Sequence, residues 1–188
     1  MDHSHPAWQR LKAEELLAQQ ISQLQSRRER AALRAPQLPG AVGQSLHARL
    51  LAALPFGLTK AQERVGGEIA KDMARHIPMH RLLQGDVGAG KTVVAALAAA
   101  TCIDAGWQCA LMAPTEILAE QHFRKLLGWL EPLGITTAWL TGTQKTKERR
   151  AMLALIESGE AQLVVGTHAI IQDKVQFKRL ALAIIDEQ

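Results

Sequence analysis

The chain is predicted to fold as an α/β domain on a parallel sheet, and three features of its 188 residues carry that expectation. Beyond about residue 80, short apolar runs alternate with helix-length stretches, the rhythm of right-handed βαβ crossovers. The runs are continuously apolar, as strands buried on both faces are, rather than alternating. A composition that is 47% hydrophobic supplies one real core at this length, with some extra helix, but not two full domains.

The elements follow in order. From Ala7 to about Arg34 there is no glycine, Leu17, Ile21 and Leu24 recur at helical spacing, and Pro6 lies where a helix start tolerates it, so a long helix is expected. Its last part, QSRRERAALR (25–34), reads as a solvated end favoured by the macrodipole. The stretch APQLPGAVGQ (35–44) breaks the pattern and marks a linker or tight turn. SLHARLLAAL (45–54) reads as a short amphipathic helix capped by Ser45 and ended by Pro55. Downstream, strands are expected at RLLQ (81–84), QCALMAP (108–114), TTAWLTG (136–142), AQLVVGT (161–167) and LALAIIDE (180–187), five in all. Helices are expected from Lys91, from about Glu116 and from about Gln144, with a short helical stretch after residue 167. A helix near Gln62 is expected to form poorly, because Gly66 and Gly67 cost about 1 kcal/mol each relative to alanine.

Bulk properties narrow the function classes. A formal charge of +4 and a pI near 9.3 permit a polyanionic partner without demanding one. Cys102 and Cys109 lie in apolar segments without metal-ligand company, so they read as reduced packing thiols of a cytosolic protein. The most apolar window, VVAALAAATCI (93–103), is far shorter than the ~20 residues of a membrane span, and the start has no signal-peptide core. A cytoplasmic protein without membrane contact is expected.

The chemistry concentrates at GDVGAGKT (85–92), which fits G-x-x-x-x-G-K-[ST] between a predicted strand and a predicted helix. Chance supplies such a match in about one chain of this length in 150, before the context is counted. Gly85, Asp86, Val87, Gly88, Ala89 and Gly90 are expected to form a nest in which successive N–H groups face a phosphate chain without obstruction by side chains. Lys91 brings a charge to the β/γ-phosphates, Thr92 a hydroxyl to Mg²⁺, and the helix they open its positive dipole end. About a hundred residues on, AIIDE closes a strand with two acids. Asp186 is expected to hold the Mg²⁺ shell and Glu187 to orient the attacking water, so that Lys91 and Glu187 are the catalytic candidates. Gln62, at the head of a helix upstream, has an amide able to pair bidentately with an adenine edge. Phe56 could pack near the base or in the core.

The wording between these motifs resembles the RecG family of superfamily 2 ATP-dependent DNA helicases. LPFGLTKAQ (54–62), RLLQGDVGAGKT (81–92), LMAPTEILAEQH (111–122), LTGTQKTKERR (140–150), VVGTHAIIQ (164–172) and IIDEQ (184–188) carry the likeness. HPAWQRLKAEELLAQQ, near the start, is similar to the helix that joins that family's DNA-binding wedge domain to its motor. Transcription-repair coupling factor shares several of these motifs. The resemblance implies a RecA-like P-loop NTPase lobe at 54–188 preceded by a helical linker at 1–53, with Mg²⁺ and ATP as cofactors. It also implies branched or forked DNA as partner. It places Pro114, Thr115, Glu116, Gln121, Thr141, Gly142, Thr143, Gly166, Thr167 and His168 on the nucleic-acid track, reading backbone rather than base sequence. Taken singly, a threonine or glycine in these motifs is more often a helix cap, and TKERR (146–150) reads as a solvated helix face.

Two departures from the family pattern stand out. Ala89 replaces a frequent serine in a loop where the backbone acts, so little consequence is expected. The family's acidic box continues to a histidine and this chain ends at Gln188, so an incomplete lobe is expected, lacking the second RecA-like lobe with its arginine finger and the wedge domain. An uncovered apolar flank of the sheet is expected with it. Two other readings compete: a small P-loop kinase, for which neither acceptor pocket nor basic lid is visible, and a non-catalytic DNA-binding remnant.

Overall fold

A computed structural model of the chain describes residues 6–40, 43–85, 90–172 and 174–186. Its elements are α1 (Pro6–Ala32), α2 (Leu46–Ala53), α3 (Lys60–Met73), α4 (Lys91–Asp104), β1 (Gln108–Met112), α5 (Glu116–Leu130), β2 (Thr137–Leu140), α6 (Thr146–Ser158), β3 (Leu163–Gly166) and β4 (Leu180–Ile185), with 3-10 turns at Glu131–Leu133 and His168–Ile171. The four strands form one parallel sheet in the order β2-β3-β1-β4. Successive strand residues face opposite layers. Cys109, Leu111, Leu163 and Val165 join one core with residues of α2, α3, α4 and α5, while Ala110, Ala138, Leu140 and Val164 join a second with Ile156 of α6 and Ile170.

Local sequence explains most of the boundaries. Ser45 accepts the Ala48 N–H and starts α2, and Thr115 accepts the Leu118 N–H and starts α5. Gly134 and Gly159 end the turn after α5 and α6 in left-handed conformations. One cap was not visible locally. Asp104, at the far end of α4, accepts the Leu46 and His47 N–H groups at 2.7 and 3.0 Å and clamps α2 to the sheet-covering helix. Gln108, almost fully buried, donates to the Ile156 and Ala161 carbonyls and accepts the Arg179 N–H, joining β1, α6 and the approach to β4. Both cysteines are buried and free. Burial pushes the Cys102 thiol up to about 12 and raises Cys109 as well, since a thiolate loses its solvation there.

Two expectations fail. Among the described residues four strands form, not five, and residues 81–85 pair with none. Apolar character alone makes no strand without a ladder partner. Arg81 is drawn instead to α3, where its guanidinium meets Asp72 and Glu68 at 2.7 Å, and Leu82 stays 78% exposed. The second failure is α3, which runs unbroken through Gly66 and Gly67. A reciprocal capping box between Thr59 and Gln62 starts it, and burial of Ile69 and Met73, worth about 1.5–3 kcal/mol each, offsets the two glycines.

The expected apolar flank is present. β4 forms one edge of the sheet, Leu180 and Ile185 are exposed, and a groove of 390 Å³ runs along it past Ile171 and Phe177. α1 forms over the predicted span, yet Leu11, Leu17, Ile21 and Leu24 all remain about half exposed or more.

Candidate active site

The parallel sheet brings the described ends of the predicted site, Gly90–Lys91 and Asp186, to one rim. α4 leads into β1 and packs on both β1 and β4, so it runs antiparallel to them and its first turn lies at their carboxyl ends. Gly90 caps α4 with φ 75° and ψ 28°, a left-handed conformation that suits glycine. A Cβ there would run into the Gln62 amide. The adenine-reading candidate thus sits against the exit of the phosphate loop, with its Oε1 already accepting the Thr59 N–H at 2.9 Å. Lys91 reaches back across the loop, its Nζ donating to the Gly85 carbonyl at 2.6 Å. Thr92 is half-buried in the first turn of α4. Asp86, Val87, Gly88 and Ala89 lie outside the described residues, as does Glu187.

Asp186 follows β4 at the same rim. Its backbone N–H donates to the Met112 carbonyl at 2.8 Å, which ties the strand end to β1. Its side chain has a partner that sequence reasoning missed: His122 Nε2 lies 2.6 Å from Asp186 Oδ2, with both side chains about four-fifths shielded from solvent. An ionised carboxylate only accepts, so the imidazole presents Nε2–H to it. His122 was legible as part of the motif LMAPTEILAEQH, but a pairing across 64 residues needs the fold to appear.

The nucleic-acid candidates form two neighbouring groups on this rim. Thr143 donates its hydroxyl and its N–H to the Glu116 carboxylate, joining the loop after β2 to the first turn of α5 beside Gly142. Thr115 is the cap of α5, as single threonines usually are; Pro114 and Gln121 are exposed. Thr141 and Thr167 are buried, and His168 is exposed at the start of its 3-10 turn. At Gly166 the backbones of β2 and β3 come so close that a Cβ would overlap the Leu140 carbonyl, which accepts the Thr167 N–H at 3.1 Å. One residue of the supposedly solvated helix face behaves otherwise. Arg149 donates to the Thr141 carbonyl at 2.9 Å and to Gln172 at 2.8 Å, so it braces the two loops against each other. Phe56 is neither core nor deeply placed: it is 46% exposed and meets Trp129 edge-on at 6.3 Å.

A helix opened by a glycine and a lysine at the carboxyl rim of a parallel sheet, beside an acid-tipped strand, defines the phosphate-loop class of α/β proteins. The chain belongs to the DEAD/DEAH box helicase family, whose profile matches residues 59–188. It is 55% identical over 184 residues to the ATP-dependent DNA helicase RecG of Escherichia coli (strain K12), 98% of this chain and 26% of that protein. The RecG of Haemophilus influenzae is 53% identical over the same shares, and that of Aquifex aeolicus 43% identical over 93% of this chain and 22% of the relative. The chain therefore spans about a quarter of the length of these relatives. Among solved structures, RecG bound to a three-way DNA junction superimposes with a TM-score of 0.86 at 43% identity, over 96% of this chain and 24% of that one. Yeast Dbp5 bound to RNA matches with a TM-score of 0.58 at 21% identity over 80% of this chain and 37% of its own, a likeness of fold alone.

Proposed function

We propose that the chain is the ATP-binding lobe of a RecG-like DNA helicase or translocase, which couples ATP hydrolysis to the remodelling of branched DNA in recombination and repair. The observation that carries this reading is the common rim: the Gly90–Lys91 entry of α4 and Asp186 at the end of β4 share the carboxyl edge of one sheet. The donor set fits a magnesium nucleotide. Lys91 is the cation for the phosphates, the Thr92 hydroxyl and Asp186 carboxylate are hard oxygen ligands, and Gly90 is bare where a side chain would intrude. Bound magnesium would neutralise charge developing on the phosphates. Lys91 exchanges the Gly85 carbonyl for phosphate oxygens, Gln62 faces the base, and Glu187 orients the attacking water.

Residues 54–188 form the lobe and 1–53 a helical linker whose α2 is docked on α4. A second lobe and a wedge domain complete the working protein, as the length of the relatives suggests, and DNA reaches the rim through backbone contacts at Thr115, Glu116, Thr143 and His168. No helix among the described residues is long and apolar enough to cross a membrane. The proposed action on DNA places the protein in the cytoplasm. Titration of labelled Mg·ATP against the chain and its Lys91→Ala variant tests the site. Affinity is expected to fall at least tenfold, the loss of about 1.4 kcal/mol of charge-assisted hydrogen bonding. Equal affinities refute the role of the loop, and salt-sensitive DNA binding indifferent to ATP would mark a non-catalytic binding lobe instead.

A further inference from the structure

We propose that His122 is a positioning residue that couples the nucleic-acid edge to the metal site, by holding the Asp186 carboxylate from the same helix that carries Thr115, Glu116 and Gln121. The inference rests on the assignment of Asp186 to the magnesium shell. Two constraints single the histidine out. The backbone of Asp186 is fixed by its N–H bond to Met112, so what remains adjustable is the side-chain rotation, and Oδ2 is taken by His122 Nε2 at 2.6 Å. The orientation of the other oxygen, Oδ1, is then set by the position of the imidazole.

That position is set by α5. Its far half is anchored by the fully buried Leu126 and Leu130 and its near half by the fully buried Ala119 alone, whereas Thr115 and Ile117 at its head are exposed and Glu116 is latched to Thr143 across the loop after β2. His122 lies between these halves, next to the exposed Gln121. A phosphate backbone competing for Thr143 and repelling the Glu116 carboxylate displaces the head of the helix, and the rigid imidazole carries that displacement to Asp186. The pair is shielded enough that bulk water does not readily replace the bond. Arg149 braces the same loop through the Thr141 carbonyl, so the whole rim moves as a connected set rather than as independent contacts.

The experiment measures binding of a fluorescent ATP analogue with Mg²⁺ to the chain, with and without a mixed-sequence single-stranded oligonucleotide. In the unaltered chain DNA is expected to change nucleotide affinity by about fivefold or more, the lower end of ordinary coupling between sites. His122→Ala is expected to reduce that factor to about one, while His122→Gln, which restores an N–H donor at similar reach, keeps most of it. A merely structural bond would alter both affinities together and leave their ratio intact. Persistent coupling in the alanine variant overturns the inference alone. Failure of Lys91→Ala to weaken the nucleotide overturns the site assignment beneath it. A second readout needs no variant at His122: carbon-detected NMR of the His122 ring and Asp186 carboxylate is expected to shift on adding DNA without nucleotide, and unmoved signals overturn the coupling.

Discussion

Gly166→Ala tests how tightly the rim is built. Gly166 pairs with Met112 of β1 and Leu140 of β2, and its added Cβ would overlap the Leu140 carbonyl. The obstacle is backbone, on the neighbouring edge strand β2, with no flexible tip to swing aside. Relief requires splaying β2 from β3 at their carboxyl ends, which weakens the bond from the Thr167 N–H to the Leu140 carbonyl at 3.1 Å. Overpacking of this kind costs about 1–3 kcal/mol, and the lost backbone bond adds about 1 kcal/mol. The expected destabilisation is therefore about 2–4 kcal/mol, which at this chain length lowers Tm by about 4–16 °C. Urea and thermal unfolding followed by circular dichroism measure it. Gly142→Ala is the control, because its Cβ meets only Glu116 Oε1 at 3.9 Å, an ordinary contact, and the expected change is within about 0.5 kcal/mol. A Gly166→Ala chain within about 1 kcal/mol of the unaltered one refutes the close approach.

Three further outcomes are expected. Gly90→Ala forces a side chain into a left-handed conformation at about 1–2 kcal/mol and displaces the Gln62 amide. A double-mutant cycle with Gln62→Ala should therefore show coupling of about 0.5–1 kcal/mol, and strict additivity would contradict the contact. Arg149→Ala frees the Thr141 carbonyl and Gln172, so amide exchange at residues 141–145 should accelerate severalfold, and Arg149→Lys should not restore it because an ammonium cannot fork to two elements. The cysteine thiols, with folded pKa values above the ordinary ~8.5, stay protonated after the unfolded chain has lost its protons. Their contribution to stability is complete below about pH 8.5 and is lost as pH rises toward about 12 for Cys102. Alkylation with iodoacetamide at pH 9 should accordingly track global unfolding, and rapid labelling of the native chain would contradict the burial.

Sequence alone determined the features that act over a few residues. The phosphate loop is a contiguous pattern, the caps Ser45 and Thr115 bond three residues ahead, and the buried parallel strands announce themselves as unbroken apolar runs, so fold class and most element boundaries were legible. What failed locally was decided by partners far along the chain. Residues 81–84 have strand composition, but a strand exists only where a neighbour completes its ladder, and Arg81 found carboxylates on α3 first. Gly66 and Gly67 weaken a helix in isolation, yet α3 is held by what it buries. The candidate site divides the same way. Its proposed ligands, Lys91, Thr92 and Asp186, stand in contiguous motifs, whereas the brace of Arg149, the latch between Glu116 and Thr143, and the grip of His122 on Asp186 depend on which side chains the crossovers bring to one rim. Hydrogen bonds reach only about 3 Å, so only tertiary structure decides which of the many donors and acceptors in the chain ever meet.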